Sequence, residues 1–130
     1  MNSLFLFTDS EIAAAVPTPE GVHIRLSAAH VVQSNPAISE KSIEGFSQGV
    51  ELVLPGVQLD KPATDLIGRL SQGRIRINGQ WSPSIPLPHT HSGPTKLELS
   101  FANQSFLALE AEGMECRFEG EPNFHESMVC

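Results

Sequence analysis

The stretch Gly73–Phe101, GRIRINGQWSPSIPLPHTHSGPTKLELSF, decides the fold class. Asn78-Gly79 near its start is the strongest local turn signal in the chain, because a two-residue type I′ hairpin needs positive φ at both central positions. Two registers are compatible with it. A two-residue loop pairs Ile77 with Gln80, Arg76 with Trp81 and Ile75 with Ser82, so that Trp81 shares a face with Arg74 and Arg76. A three-residue loop puts Trp81 with Ile75 in the core instead. A slip of one residue carries every side chain to the other face. Turn chemistry favours the first register, and the usual burial of a lone tryptophan favours the second.

The end of the same stretch forms a second hairpin with residues 107–111. Leu97, Leu99 and Phe101 alternate with Lys96, Glu98 and Ser100, and Leu107, Leu109 and Ala111 alternate with Ala108 and Glu110. Both apolar sets occupy odd positions, so they face each other only across a loop of odd length. A loop of three or five residues around Asn103–Ser105 is therefore expected. Met114, Cys116 and Phe118 continue an inward row, with Glu115, Arg117 and Glu119 outward. Residues 119–130 read as a C-terminal tail, with Phe124, Met128 and Val129 folding back on the domain.

Upstream, Val22, Ile24, Leu26 and Ala28 alternate with His23, Arg25 and Ser27, a half-buried strand that places His23 outward. Val50, Leu52 and Leu54 form another, and Pro55-Gly56 makes a corner. Ser3–Phe7 is a first strand. Glu11–Val16 fits a short helix capped by Ser10 and stopped by Pro17, or a strand equally well. Ser34–Gln48 is polar and turn-rich, and reads as a surface loop or short helix anchored by Ile43 and Phe46. Leu66–Leu70 reads as a short strand that Gln72-Gly73 turns into Arg74–Ile77. The prediction is one all-β domain over residues 1–130, an antiparallel sandwich or flattened barrel of about eight to ten short strands with little or no helix.

Composition narrows the partners. The chain has 130 residues, 10 glycines, 10 prolines and a net charge of −7. That charge argues against nucleic acid, which needs a basic face. No apolar run approaches the ~20 residues of a membrane-spanning helix, and the apolar N-terminal run lacks the basic residues of an export signal. With two cysteines and no such signal, the cytoplasm is the expected location. The charge is unevenly spread: counting along the sequence gives −5 over residues 1–60, +4 over 61–97 and −6 over 98–130. Either the basic strands pair with acidic neighbours across a sheet, or they form an anion-binding face.

His89 and His91 lie two apart on an extended segment and so point the same way, as metal ligation or proton relay requires. The spacing resembles the metal motif of the cupin family. Glu98, however, comes after His91 only beyond six intervening residues, and no glycine precedes His89 at the matching distance, so that family is not assigned. A divalent metal such as zinc would need a third donor, for which His125, Cys116 and Cys130 are the candidates. Cys116 on an inward position reads as a small hydrophobe, and no catalytic nucleophile motif is present. The proline-rich Pro83–Pro88 segment reads as a rigid edge crossing rather than a ligand for an aromatic groove.

Function is not fixed by these residues. The reading they favour is a non-enzymatic binding module for a protein or small ligand, with Trp81, Arg74, Arg76, His89 and His91 as the contact set and no cofactor. The alternatives are a small metal-dependent enzyme using His89, His91 and His125, and a self-associating domain that forms a homodimer.

Overall fold

A computed structural model describes residues 2–34, 42–57 and 67–126. They form eight strands: β1 Asn2–Thr18, β2 Gly21–Ser34, β3 Ser42–Pro55, β4 Gly68–Ile77, β5 Gln80–Ser82, β6 Ser84–Pro86, β7 His89–Phe101 and β8 Phe106–Glu126. All neighbours are antiparallel. The order β4-β7-β8-β3-β2-β1 closes on itself, because Glu11 and Ile12 of β1 pair with Arg69 and Gly68 of β4. The all-β expectation therefore resolves to a six-stranded closed barrel with two short accessory strands. β5 adds to β4, β6 adds to β1, and Pro83 joins them directly. Among the described residues no helix is long and apolar enough to cross a membrane.

The interior is filled by one alternating set from each strand. Val22, Ile24 and Leu26 of β2, Val50, Leu52 and Leu54 of β3, Leu97, Leu99 and Phe101 of β7, and Leu107, Met114 and Cys116 of β8 are all buried. Phe5 and Phe7 of β1 meet edge to face at 5.0 Å between ring centroids. The buried Ile85 of β6 lies opposite Phe5, and Leu87 donates its backbone N–H to the Ser3 carbonyl. The proline-rich crossing thus seals the barrel wall where β4 and β1 part.

In the first hairpin Ile77 pairs with Gln80, Arg76 with Trp81 and Ile75 with Ser82, with Asn78 at φ 54° and Gly79 at φ 78°. Turn chemistry wins, and Trp81 stands outward with the arginines. In the second hairpin Leu97 faces Leu109 and Leu99 faces Leu107. Phe101 and Ser105 close a three-residue loop through a 2.8 Å backbone hydrogen bond, with Gln104 at φ 73° as its left-handed residue. The odd loop keeps both apolar rows inside.

Several segments differ from expectation. Glu11–Val16 is strand throughout, and β1 runs 17 residues across the barrel. It does so through a bulge at Asp9, whose φ is 69°. There the fully buried Ser10 hydroxyl donates to the Leu6 carbonyl and accepts the His30 backbone N–H. Ser42–Gln48 is neither loop nor helix. It extends β3, paired on one side with β2 and on the other with residues 123–126. Gln72-Gly73 is not a turn: both residues pair in register with Ser100 and Leu99 of β7, and the irregularity in β4 falls just before them, between Leu70 and Gln72. Gly73 occupies the closing seam, where an added Cβ would sit 2.7 Å from the Phe7 Cβ, so its absent side chain permits the approach of β1. Residues 119–126 continue β8 as a strand, while residues 127–130 and 35–41, like Leu66, lie outside the described residues.

Candidate binding surface

The outer face of β5, β4, β7 and β8 is a grid of cross-strand neighbours. Trp81, Arg76, Lys96 and Glu110 form one row, Arg74, Glu98 and Ala108 the next, and Gln72, Ser100 and Phe106 the third. Alternation places these side chains opposite the core row of Ile75, Leu97 and Leu99. The Arg74 guanidinium lies 4.1 Å from the centroid of the Trp81 ring, and its Nε donates to Glu98 at 2.6 Å. Stacking on one side and a carboxylate on the other fix the arginine in place. The ring it covers is 37% exposed, and Phe106 is 52% exposed.

Two shallow cavities flank this pair. One, of about 490 Å³, is lined by Gln72, Gly73, Arg74, Glu98, Ser100 and Phe106. The other, of about 280 Å³, is lined by Arg76, Gly79, Pro94 and Lys96. Most of the basic segment is matched by carboxylates: Arg69 binds Asp9 at 2.7 Å, Arg74 binds Glu98, and Lys96 meets Glu110 at 3.3 Å. Arg76 has no hydrogen-bond or ion-pair partner among the described residues.

The five residues of the expected contact set do not form one site. Trp81, Arg74 and Arg76 share the outer face. His89 and His91 do project to a common side, but it is the inward one: they pair with the buried Cys116 and Met114 of β8 and are half-buried. The bulge between Ser92 and Thr95 separates them from the outer row that begins at Lys96. His125 pairs by backbone with Phe46 of β3, nine positions along β8 from Cys116. That separation corresponds to roughly 30 Å of extended strand. The side chain of His125 lies outside the described residues, as does Cys130. Among the described residues no three His, Cys, Asp or Glu side chains are grouped to hold a metal ion. Burial pushes the Cys116 thiol up to about 12, so it is no nucleophile at neutral pH.

Two polar clusters escaped the sequence reading. On the outer face of β2, β3 and β8, Glu51 is only 4% exposed. His23 Nδ1 lies 2.5 Å from one of its carboxylate oxygens, and Arg117 donates to the other through two nitrogens at 3.2 and 3.4 Å. Arg117 also holds Glu115 at 2.7 Å. Burial works to raise the Glu51 pKa, but the bonds from His23 and Arg117, with the charge of Arg117, outweigh it and hold the carboxyl below its ordinary value. His23, expected simply to face solvent, instead anchors this group. The only signal in the sequence was a His, a Glu and an Arg at outward positions of three strands, whose adjacency is a matter of sheet order.

The second cluster surrounds His30. Its Nδ1 lies 2.9 Å from the Thr8 carbonyl, its Nε2 meets the Glu44 carboxylate, and its ring stacks on Phe46. Both ring nitrogens therefore have an oxygen partner. The cluster ties the β1 bulge to β3.

In comparison with known proteins the chain matches no family model, no curated protein and no solved structure.

Proposed function

We propose that the protein is a non-enzymatic binding module whose contact surface is the outer face of β5, β4 and β7, centred on Trp81, Arg74 and Arg76. The observation that carries this reading is the clamp on Trp81. An exposed aromatic held flat by an arginine, itself fixed by Glu98, loses little conformational freedom on binding. Tryptophan and arginine are also the residues that most often dominate binding energy at interfaces. His89 and His91 are not part of this surface, since they project to the other side of the sheet. A cytoplasmic setting accompanies the reading, supported by the free thiol of the buried Cys116.

The chain has one tryptophan and no tyrosine, so emission excited at the red edge reports Trp81 alone. Extract fractions from the host, or defined ligands, are expected to shift that emission and to raise the melting temperature of the wild type. The Arg76→Glu, Trp81→Ala double variant is expected to lose the stabilisation. Equal stabilisation of both proteins by every ligand found would refute the reading.

Self-association has an observation of its own. Leu4 is 42% exposed and Phe46 36% exposed. Leu6 and Val32 lie between them on the outer face of β1 and β2, and the polar His30–Glu44 pair interrupts the apolar surface beside Phe46. Light scattering after size exclusion tests this second reading; a monomer at high concentration excludes it.

A further inference from the structure

Resting on the binding-module reading, we infer that the outer face of β4 and β7 receives an extended acidic peptide. Its carboxylates sit at Arg76 and Lys96, and an apolar side chain lies toward Phe106. Shape is the first ground. The two cavities lie in line along β4, one beside Gln72 and the other beside Arg76 and Gly79. Gln72 of one cavity and Arg76 of the other are four steps apart along β4, roughly 13 Å at ~3.3 Å per residue, and with the extent of both cavities the track is roughly 20 Å long. A compact ligand fills one of these cavities. A strand-like segment of about six residues spans both.

Charge is the second ground. Arg76 and Lys96 are direct cross-strand partners and bracket the smaller cavity. Arg76 has no anionic partner among the described residues, while Lys96 has only Glu110, in a pair whose side chains are 49% and 77% exposed. Such an exposed pair contributes little and yields readily to a competing carboxylate. The protein's net charge of −7 would repel an acidic partner at long range. At physiological salt the Debye length is only ~8 Å, and the cations in contact decide the outcome.

Polarity along the track is the third ground. The cationic end holds Arg76 and Lys96, whereas the far end is formed by Ser100, Gln72 and the exposed Phe106. Glu98 and Glu110 stand between and beside the cations, so a uniformly charged phosphate backbone meets repulsion where a peptide with localised carboxylates does not.

The test is selection of a random hexapeptide display library on the intact protein, followed by titration of the selected synthetic peptides. The expected peptides are enriched in Asp or Glu at one end and carry an apolar residue toward the other. They shift Trp81 emission, bind more weakly as salt rises, and lose roughly tenfold in affinity for the Arg76→Gln, Lys96→Gln variant. Both substituted side chains are exposed, and an unchanged melting temperature confirms that the variant is folded. Peptides that shift Trp81 but show no acidic preference would overturn the inference and leave the binding surface standing. Acidic peptides that bind without responding to the variant would overturn it as well. A selection that returns no binder counts against both the inference and the surface.

Discussion

Replacing Glu51 by Gln removes one charge from an almost fully enclosed group while keeping its shape. The amide oxygen can still accept from His23, so what is lost is the charge-assisted part of that bond, together with the Arg117 contact, whose acceptor oxygen becomes an amide NH2 that only donates. Charge-assisted bonds contribute ~1.5–3 kcal/mol where neutral ones contribute ~0.5–1.5. The Arg117 share is small, because that side chain is 45% exposed and keeps Glu115 at 2.7 Å. The expected cost at neutral pH is therefore about 1.5–2 kcal/mol, mostly through His23. With an unfolding entropy of ~2.1 cal/mol/K per residue, a chain of 130 residues should melt about 6 to 7 °C lower.

The pH dependence carries the sharper test. The folded-state pKa of Glu51 is depressed below its ordinary 4.5, so its charge stabilises the fold fully above that value. The contribution fades as pH falls through the lower, folded-state pKa. Calorimetric melts of wild type and Glu51→Gln between pH 7.5 and 3 should show the gap in melting temperature narrowing below about pH 4.5 as the wild-type carboxyl takes up its proton. Two results would refute the reasoning. Equal stability at pH 7.5 would mean that the buried charge contributes nothing net, and a gap that persists unchanged into acid would assign the loss to packing.

The same geometry gives three further expected outcomes. Gly73→Ala should destabilise by about 1–3 kcal/mol in chemical denaturation, because the new methyl meets the Phe7 Cβ at the barrel seam and β1 must shift. Gly79→Ala should cost about 1 kcal/mol, a smaller loss of backbone origin alone, since nothing lies within 4 Å of the added atom while φ is 78°. Cys116 should resist a thiol reagent at neutral pH in the folded protein and react on unfolding in denaturant; prompt reaction in the native state would contradict its burial. For that assay Cys130 is first replaced by Ser.

Where residue patterns carried hydrophobic alternation or turn chemistry, the fold was legible in the sequence. At Asn78-Gly79 turn chemistry pointed to the register that forms, while the burial usual for a lone tryptophan left the alternative open. The apolar parity of Leu97–Phe101 and Leu107–Ala111 required an odd loop, and the loop is odd. The pattern fell silent where the interior is built from small residues. In Ser42–Gln48 the inward positions are Gly45 and the fully buried Ser47, and the large Phe46 faces out, so the segment looked like a surface loop. In β1 the bulge at Asp9 reverses the parity of the inward row: Phe5 and Phe7 are succeeded by Ile12, and a further irregularity restores Ala15. A strand whose parity changes twice cannot be told from a helix by period. The Glu51 cluster was invisible for a different reason. Its three residues are far apart in sequence and meet only because β8 returns to lie beside β3.

Charge pairs on the two outer faces of this barrel differ in their exposure. The −5, +4 and −6 segments of the sequence do pair across the sheet: Asp9 with Arg69, Glu98 with Arg74, Glu110 with Lys96. On the β2-β3-β8 face a carboxylate is nearly enclosed and shared between His23 and Arg117, so its charge is already committed to holding strands together. On the β4-β7-β8 face the pairs stand in solvent, and Arg76 remains unmatched among the described residues, beside the chain's only tryptophan. Enclosed pairs are costly to break, because the partner left behind stays buried; exposed pairs exchange partners at little cost. The proposed function therefore assigns the partner to the face whose existing pairs are weakest and whose aromatic residue is already stacked on an arginine. That face is the one carrying Trp81, and a charge change there should alter binding while leaving the melting temperature nearly unmoved.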